Sequence, residues 1–183
     1  MKKKKIIKIV GWSALSLLFI IICLVGYLYY WANYKYIPSE NVFTKRVAYI
    51  DPATALGDPD FKACNEDTIA DYYNPERATY IKGKNGLRNF VMSNYKNKGY
   101  TDSGYLNIRF VVNCNGAAGR YIIHENNIDL EPVKLSPSLV KQLFEITTQL
   151  KDWNPNVIRG EIRDSYMYIS YRIENGEITE ILP

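Results

Sequence analysis

The clearest alternation in the chain runs from Ser103 to Glu125. Leu106, Ile108, Phe110 and Val112 fall on one parity, and Tyr105, Asn107, Arg109 and Val111 on the other. Successive side chains leave a pleated strand on opposite faces, so a period of two with one apolar side predicts a half-buried strand. Asn115-Gly116 follows, a pair that tolerates the positive φ of a tight turn. The β-rich run from Arg120 to His124 then returns, and the whole stretch reads as a hairpin. Its apolar face needs a cover.

Two helical patterns flank the hairpin and supply one. Leu87, Phe90, Val91 and Tyr95 recur at helical spacing and predict a short helix to about Lys96, entered from a loop at Gly83-Lys84-Asn85-Gly86. Ser136-Pro137 predicts a helix start, with serine as N-cap and proline at the first helical position. Leu139, Leu143, Ile146 and Leu150 form one stripe, widened by Val140, Phe144 and Thr147. Each large side chain in that stripe contributes roughly 1.5–3 kcal/mol when buried. Asn154-Pro155 ends the element, because a residue before proline disfavours the α region.

A long third strand is expected from Arg163 to Ile173. Ser165, Met167, Ile169, Tyr171 and Ile173 alternate there with Tyr166, Tyr168, Ser170 and Arg172. Asn175-Gly176 is a second hairpin signal, and Glu177 to Leu182 has the composition of a further strand. Folded back on Arg163–Ile173, that segment takes the backbone hydrogen bonds which an incoming peptide strand would use. The order helix, strand, strand, helix, strand, strand predicts an α+β domain, a small antiparallel sheet with two helices on one face.

The N-terminal pattern is different in kind. No charged residue occurs between Lys8 and Lys35, a run longer than the ~20 residues a spanning helix needs. Trp12 lies near one end, and Tyr27, Tyr29, Tyr30, Trp31 and Tyr34 cluster at the other, as expected of rings at two membrane–water interfaces. Trp12, Tyr27, Tyr30 and Trp31 are the candidate interface residues. Lysines precede the span, so the N-terminus is expected in the cytoplasm and the rest outside it. The competing reading is a cleaved signal peptide, but GYLYYWANY is bulky where a small-x-small site belongs. The expected divisions are a basic cytoplasmic tail at 1–8, a membrane helix at 9–34, a periplasmic connector at 35–78 and a folded domain at 79–183. Pro38, Pro52, Gly57 and Pro59 punctuate the connector; Val42 to Ile50 reads as a short strand and Asn74-Pro75 as a turn.

Charge changes the picture once. The formal net charge is +4, yet Lys2, Lys3, Lys4, Lys5 and Lys8 supply five of the 23 Lys and Arg. The 18 that remain face 19 Asp and Glu, so the folded part has no basic surplus and no nucleic-acid partner is expected.

The pieces GLRNFVMSNY, GYLNIRFVVNCNG, LVKQLFEITTQL and LKDWNP with Gly160, followed by the tyrosine-rich third strand, together resemble the C-terminal domain of TonB, the energy-transducing protein of Gram-negative envelopes. The likeness covers Leu87 to Tyr171, about half of the chain, and the single N-terminal anchor extends it. Trp153-Asn154-Pro155, at its distance from the FVVNCNG turn, is its most specific part. The resemblance implies an inner-membrane-anchored periplasmic protein-binding module of an envelope transport or secretion machine, with partner proteins in the envelope and homo- or hetero-oligomers both open. The alternative is a true energy transducer for outer-membrane receptors. The chain departs from the family in three ways. Only Pro38, Pro52, Pro59 and Pro75 precede the domain, where the family has a long proline-rich spacer. No histidine lies in the span. A further C-terminal strand follows the one that the family offers to receptor peptides. Partner-binding residues are therefore expected on the tyrosine-rich strand, Tyr166, Tyr168, Tyr171 and Arg172; binding only after displacement of the last segment is the alternative.

Little in the chain points to catalysis. His124 is the only histidine, which excludes a multi-histidine metal centre and leaves an envelope hydrolase dependent on that residue. Asp152, Glu161 and Asp164 form no pair with a reason to hold a perturbed pKa, and Gly83-Lys84-Asn85-Gly86 lacks the phosphate-loop spacing. No catalytic residue, metal site or cofactor is expected. Cys64 and Cys114 both fall in the exported part, where thiols are oxidised, and are expected to form a disulfide; two free thiols are the alternative.

Overall fold

The computed structural model describes residues 2–31, 49–71 and 77–182. It divides into two compact units, Met1–Arg46 and Val47–Pro183. The expected strand at 42–50 and the Asn74-Pro75 turn lie largely outside the described residues; Tyr49 and Ile50, which are described, are not in a strand.

Among its described residues the first unit contains one helix, α1 (Lys2–Tyr30). Its segment Gly11–Tyr30 has a mean hydropathy of 2.2, and none of it is buried within the protein. At 1.5 Å per residue, those 20 residues match a hydrocarbon layer about 30 Å thick. The helix is long and apolar enough to cross a membrane, and a signal sequence has the same properties. Trp12, Tyr27 and Tyr30 are exposed, and Trp31 lies just past the end of the helix.

The second unit is α+β. It holds β1 (Thr79–Tyr80), α2 (Gly83–Asn94), β2 (Gly104–Val112), β3 (Ala118–Asn126), α3 (Pro137–Thr148), β4 (Trp153–Asn154), β5 (Asn156–Ile158), β6 (Glu161–Arg163), β7 (Ser165–Glu174) and β8 (Glu177–Leu182). The main sheet is antiparallel with strand order β3-β2-β7-β8. Its inner face carries the predicted parity: Leu106, Ile108 and Phe110 of β2 lie opposite Tyr171, Ile169 and Met167 of β7. Leu87 and Val91 of α2 and Leu139, Leu143 and Ile146 of α3 join them in one buried cluster. Thr147 of α3 is buried too; its hydroxyl donates to the Leu143 carbonyl at 2.7 Å and lies 2.8 Å from the Tyr171 hydroxyl.

Several boundaries differ from expectation. Gly83-Lys84-Asn85-Gly86 is the first turn of α2 rather than a loop, since burying Leu87 one turn later carries weak helix formers with it. The first hairpin is wider than Asn115-Gly116 requires. The Asn113 side-chain oxygen accepts the N–H groups of Asn115 and Ala117, and β3 resumes at Ala118. In contrast, Asn175 and Gly176 have φ of 50° and 76°, the two consecutive left-handed residues of a type I′ turn. The expected strand at Arg163–Ile173 is interrupted at Asp164, with β6 turning back onto β5 and β7 continuing in the main sheet. The short pairing of β1 with β4 has too few residues to show a periodicity in the sequence.

The segment assigned to a connector at 35–78 is partly folded onto the domain. Ile50 is buried with Val111 and Tyr166 in a second, smaller cluster, and Ala55, Phe61, Ile69 and Ile122 pack against it. This segment, 49–71, covers one end of the sheet's outer face.

Candidate functional site

The outer face is built by the alternate residues of the four strands. Register places them in rows across the sheet. Asn126, Tyr105, Arg172 and Glu180 form one row; His124, Asn107, Ser170 and Leu182 form the next; Ile122, Arg109 and Tyr168 form the third. Val111, opposite Tyr166, lies beyond them under the 49–71 segment. The open part of the face is thus polar and aromatic, and its closed part is apolar.

The four residues expected to bind a partner do not form one surface. Tyr171 is fully buried on the helix-facing side, because its parity matches Ile169 and Ile173 and not Tyr168. Tyr166 has the outward parity but is 8% exposed, packed beside Ile50. Tyr168 and Arg172 remain half-buried on the open rows. Arg172 is engaged along the sheet by Glu174 at 2.8 Å and Glu180 at 3.4 Å. Tyr105 and Asn107, which sequence reasoning left as ordinary strand residues, share the open rows, and register alone would have located them. Burial, then the charge of Arg109, pushes the His124 pKa below its ordinary value. The His124 ring is therefore neutral at neutral pH.

The last strand does fold back on the third. β8 pairs with β7 from Glu174–Glu177 to Ser170–Leu182. Its turn is anchored from the loop after α2. The Tyr95 hydroxyl donates to the Gly176 carbonyl, the Gly176 N–H donates to the Asp102 carbonyl at 2.8 Å, and the Asn175 N–H donates to the Ser103 hydroxyl at 2.9 Å. Burial, together with the nearby charges of Glu177 and Asp102, pushes the Tyr95 phenol up to about 12. The phenol remains a donor at every physiological pH.

A second junction ties 49–71 to the sheet. Cys64 and Cys114 form a disulfide across a sequence separation of 50. Asp164, at the break between β6 and β7, is 2% exposed. Its two carboxylate oxygens accept the backbone N–H groups of Asn65 and Cys114, each at 2.7 Å. The two sulfurs and this carboxylate lie within 4.8 Å of one another, the spacing of a metal-ligand set, but the sulfurs are spent on each other and offer no thiolate. Asp164 was unremarkable in the sequence; its role depends on segments about 50 and 100 residues away.

Arg120 completes the junction. A bulge in β3 sets both Arg120 and Tyr121 opposite Phe110, and Arg120 has a φ of 54°. The bulge sends Tyr121 inward against Phe110 and Arg120 outward to the segment. There the guanidinium makes a bidentate ion pair with Glu66, 2.6 Å on one arm, and lies 5.8 Å from the centre of the Phe61 ring. The hydrogen bond from Arg120 holds the Glu66 carboxyl below its ordinary value of 4.5. A depressed carboxyl stabilises the fold above its unfolded pKa, and that contribution disappears as the pH falls below 4.5. Glu66 is half exposed, so the pair is expected to contribute about 1 kcal/mol or less. Urea titrations of wild type and Glu66→Gln should differ by that amount at pH 7 and converge in acid; a difference that grows in acid would contradict the assignment.

No family model, curated protein or solved structure matches the chain.

Proposed function

We propose that this chain is a protein-binding module anchored in the inner membrane, with its folded domain in the periplasm, similar in kind to the C-terminal domain of TonB. The observation that carries the reading is the half-open outer face. Among the described residues, helices cover only the inner side of the sheet, and on the outer side His124 is exposed while Tyr105, Asn107, Tyr168 and Arg172 are half-buried. Tyrosine and arginine on a rigid sheet suit protein recognition, giving large contact areas at little cost in conformational entropy. The disulfide supports an oxidising compartment. The lysines before α1 support an N-terminus in the cytoplasm.

The energy-transducer reading requires peptide capture at the β7 edge. The pairing of β8 along that edge, with its turn held by Tyr95, Asp102 and Ser103, weighs against capture there. A photo-crosslinking residue in place of Tyr105, in cells, is expected to yield a discrete adduct with an envelope protein, whereas the same residue in place of Lys141 on α3 yields none. Equal labelling at both positions would overturn the binding-face assignment, and adducts with proton-driven motor subunits would favour the transducer. A reporter fused after Leu182 should be active only outside the cytoplasm; activity confined to the cytoplasm would refute the topology.

A further inference from the structure

We propose that 49–71 is a detachable strap latched by the Cys64–Cys114 disulfide, and that a dithiol reductant opens it, uncovering the outer edge of β3 and the Val111–Tyr166 end of the sheet.

The strap is attached to the rest of the domain at its periphery, by scattered contacts and one covalent bond. It contributes nothing to the main cluster between the sheet and its helices. Of its residues, Ile50 alone is buried. It forms no strand pair longer than a single bridge: Leu56 exchanges both backbone hydrogen bonds with Tyr121, at 2.7 and 2.9 Å, and Ala70 bridges to the start of β7. Further ties are the apolar contacts of Ile50, Ala55, Phe61 and Ile69 at the Val111–Tyr166 end, the Glu66–Arg120 ion pair, the Asp164 carboxylate on the Asn65 N–H, and the Asn113 side chain donating to the Lys62 carbonyl at 3.1 Å. Each polar tie is one that water can replace, and the apolar cluster is small, with Ile50 the one buried residue of the strap. The covalent bond in the middle of the strap makes their loss unfavourable, because it keeps the freed segment beside its own binding site.

The latch is reachable. Cys64 is exposed and Cys114 is half-buried. A thiolate of the reductant attacks the Cys64 sulfur, and Cys114 leaves as a thiolate and takes up a proton. The second thiol of the reductant then displaces Cys64 from the mixed disulfide. Two electrons and two protons pass to the chain, and the reductant becomes a disulfide. Opening would free the backbone N–H and carbonyl of Tyr121 at the edge of β3 and expose Val111 and Tyr166, leaving the inner cluster in place.

Amide hydrogen exchange on the full-length protein in detergent micelles tests this, with dithiothreitol as the probe and alkylation mass confirming that the bond is reduced. On reduction, peptides covering 49–71 and 118–123 are expected to exchange roughly 100-fold faster or more, as a local opening released from a cross-link closing about 50 residues. Peptides from β2, β7 and α3 should change by no more than about twofold. Unchanged exchange in the strap after confirmed reduction would overturn the proposal. So would equal acceleration everywhere, which would make the bond a staple of the whole fold, and so would a disulfide that the reductant cannot open in the folded protein.

Discussion

Trp153→Ala is expected to destabilise the domain by about 3–5 kcal/mol, the usual range for truncating a large buried aromatic. Trp153 is 4% exposed and closes the end of the main core. Its ring centre lies 5.2 Å from that of Phe110 and 5.6 Å from that of Tyr80, both edge-on. Its indole N–H donates to the Leu150 carbonyl at 2.9 Å, just beyond the end of α3. Its backbone presses on the first hairpin, where a Cβ on Gly116 would come within 2.2 Å of the Trp153 carbonyl oxygen. One side chain thus joins β1, β2 and the exit from α3, so its removal opens a cavity in close-packed core. Against a stability of 5–15 kcal/mol for a typical domain, the loss is large. Urea unfolding of the full-length protein in detergent micelles, followed by circular dichroism, measures it. Ile162→Ala, at an exposed position, should stay within about 0.5 kcal/mol of wild type. A Trp153 variant as stable as that control would refute the account.

The second large effect is expected from Asp164→Ala, at about 2–4 kcal/mol in the oxidised protein. Hydrogen bonds to a charged group are worth roughly 1.5–3 kcal/mol each, and the carboxylate accepts from Asn65 and Cys114. The total falls short of their sum because the Asn65 amide, in an exposed part of the strap, regains water once its partner is removed. The Cys114 amide is half-buried and beside the disulfide, and it bears most of the loss. Asp164→Asn keeps one side-chain acceptor and should lose about half as much. The same urea titration decides it: an alanine variant within 0.5 kcal/mol of wild type would show that the two contacts are replaced by solvent without cost.

What was legible in the chain is what depends on neighbours along it. The parity of Leu106, Ile108 and Phe110, the stripe from Leu139 to Leu150 and the Asn175-Gly176 turn all rest on local geometry, and each is present in the structure. The stretch without charge before Lys35 yields a helix long enough for a membrane by the same kind of local reasoning. Cys64 and Cys114 both fall after the apolar span, in the part expected to meet an oxidising compartment, and they are bonded.

The site was less legible, since it depends on register and on contacts distant in sequence. The pattern at Arg163–Ile173 described one strand, while only the pull of β5 on β6 and of Ala70 on the Asp164 carbonyl divides it at Asp164. Tyr171 and Tyr168 are the same residue type three positions apart, yet one is core and the other lines the open face. Tyr166 has the parity of Tyr168 and is nonetheless covered, because Ile50, more than 100 residues earlier, packs on it. By itself the sequence determined the membrane-length helix, the α+β order and the closing strand, since hydrophobic period and turn chemistry act over a few residues. The tertiary structure alone decided which half of the outer face is open, because the strap over the other half is held by a disulfide, an ion pair and a buried carboxylate, each joining segments far apart in the chain.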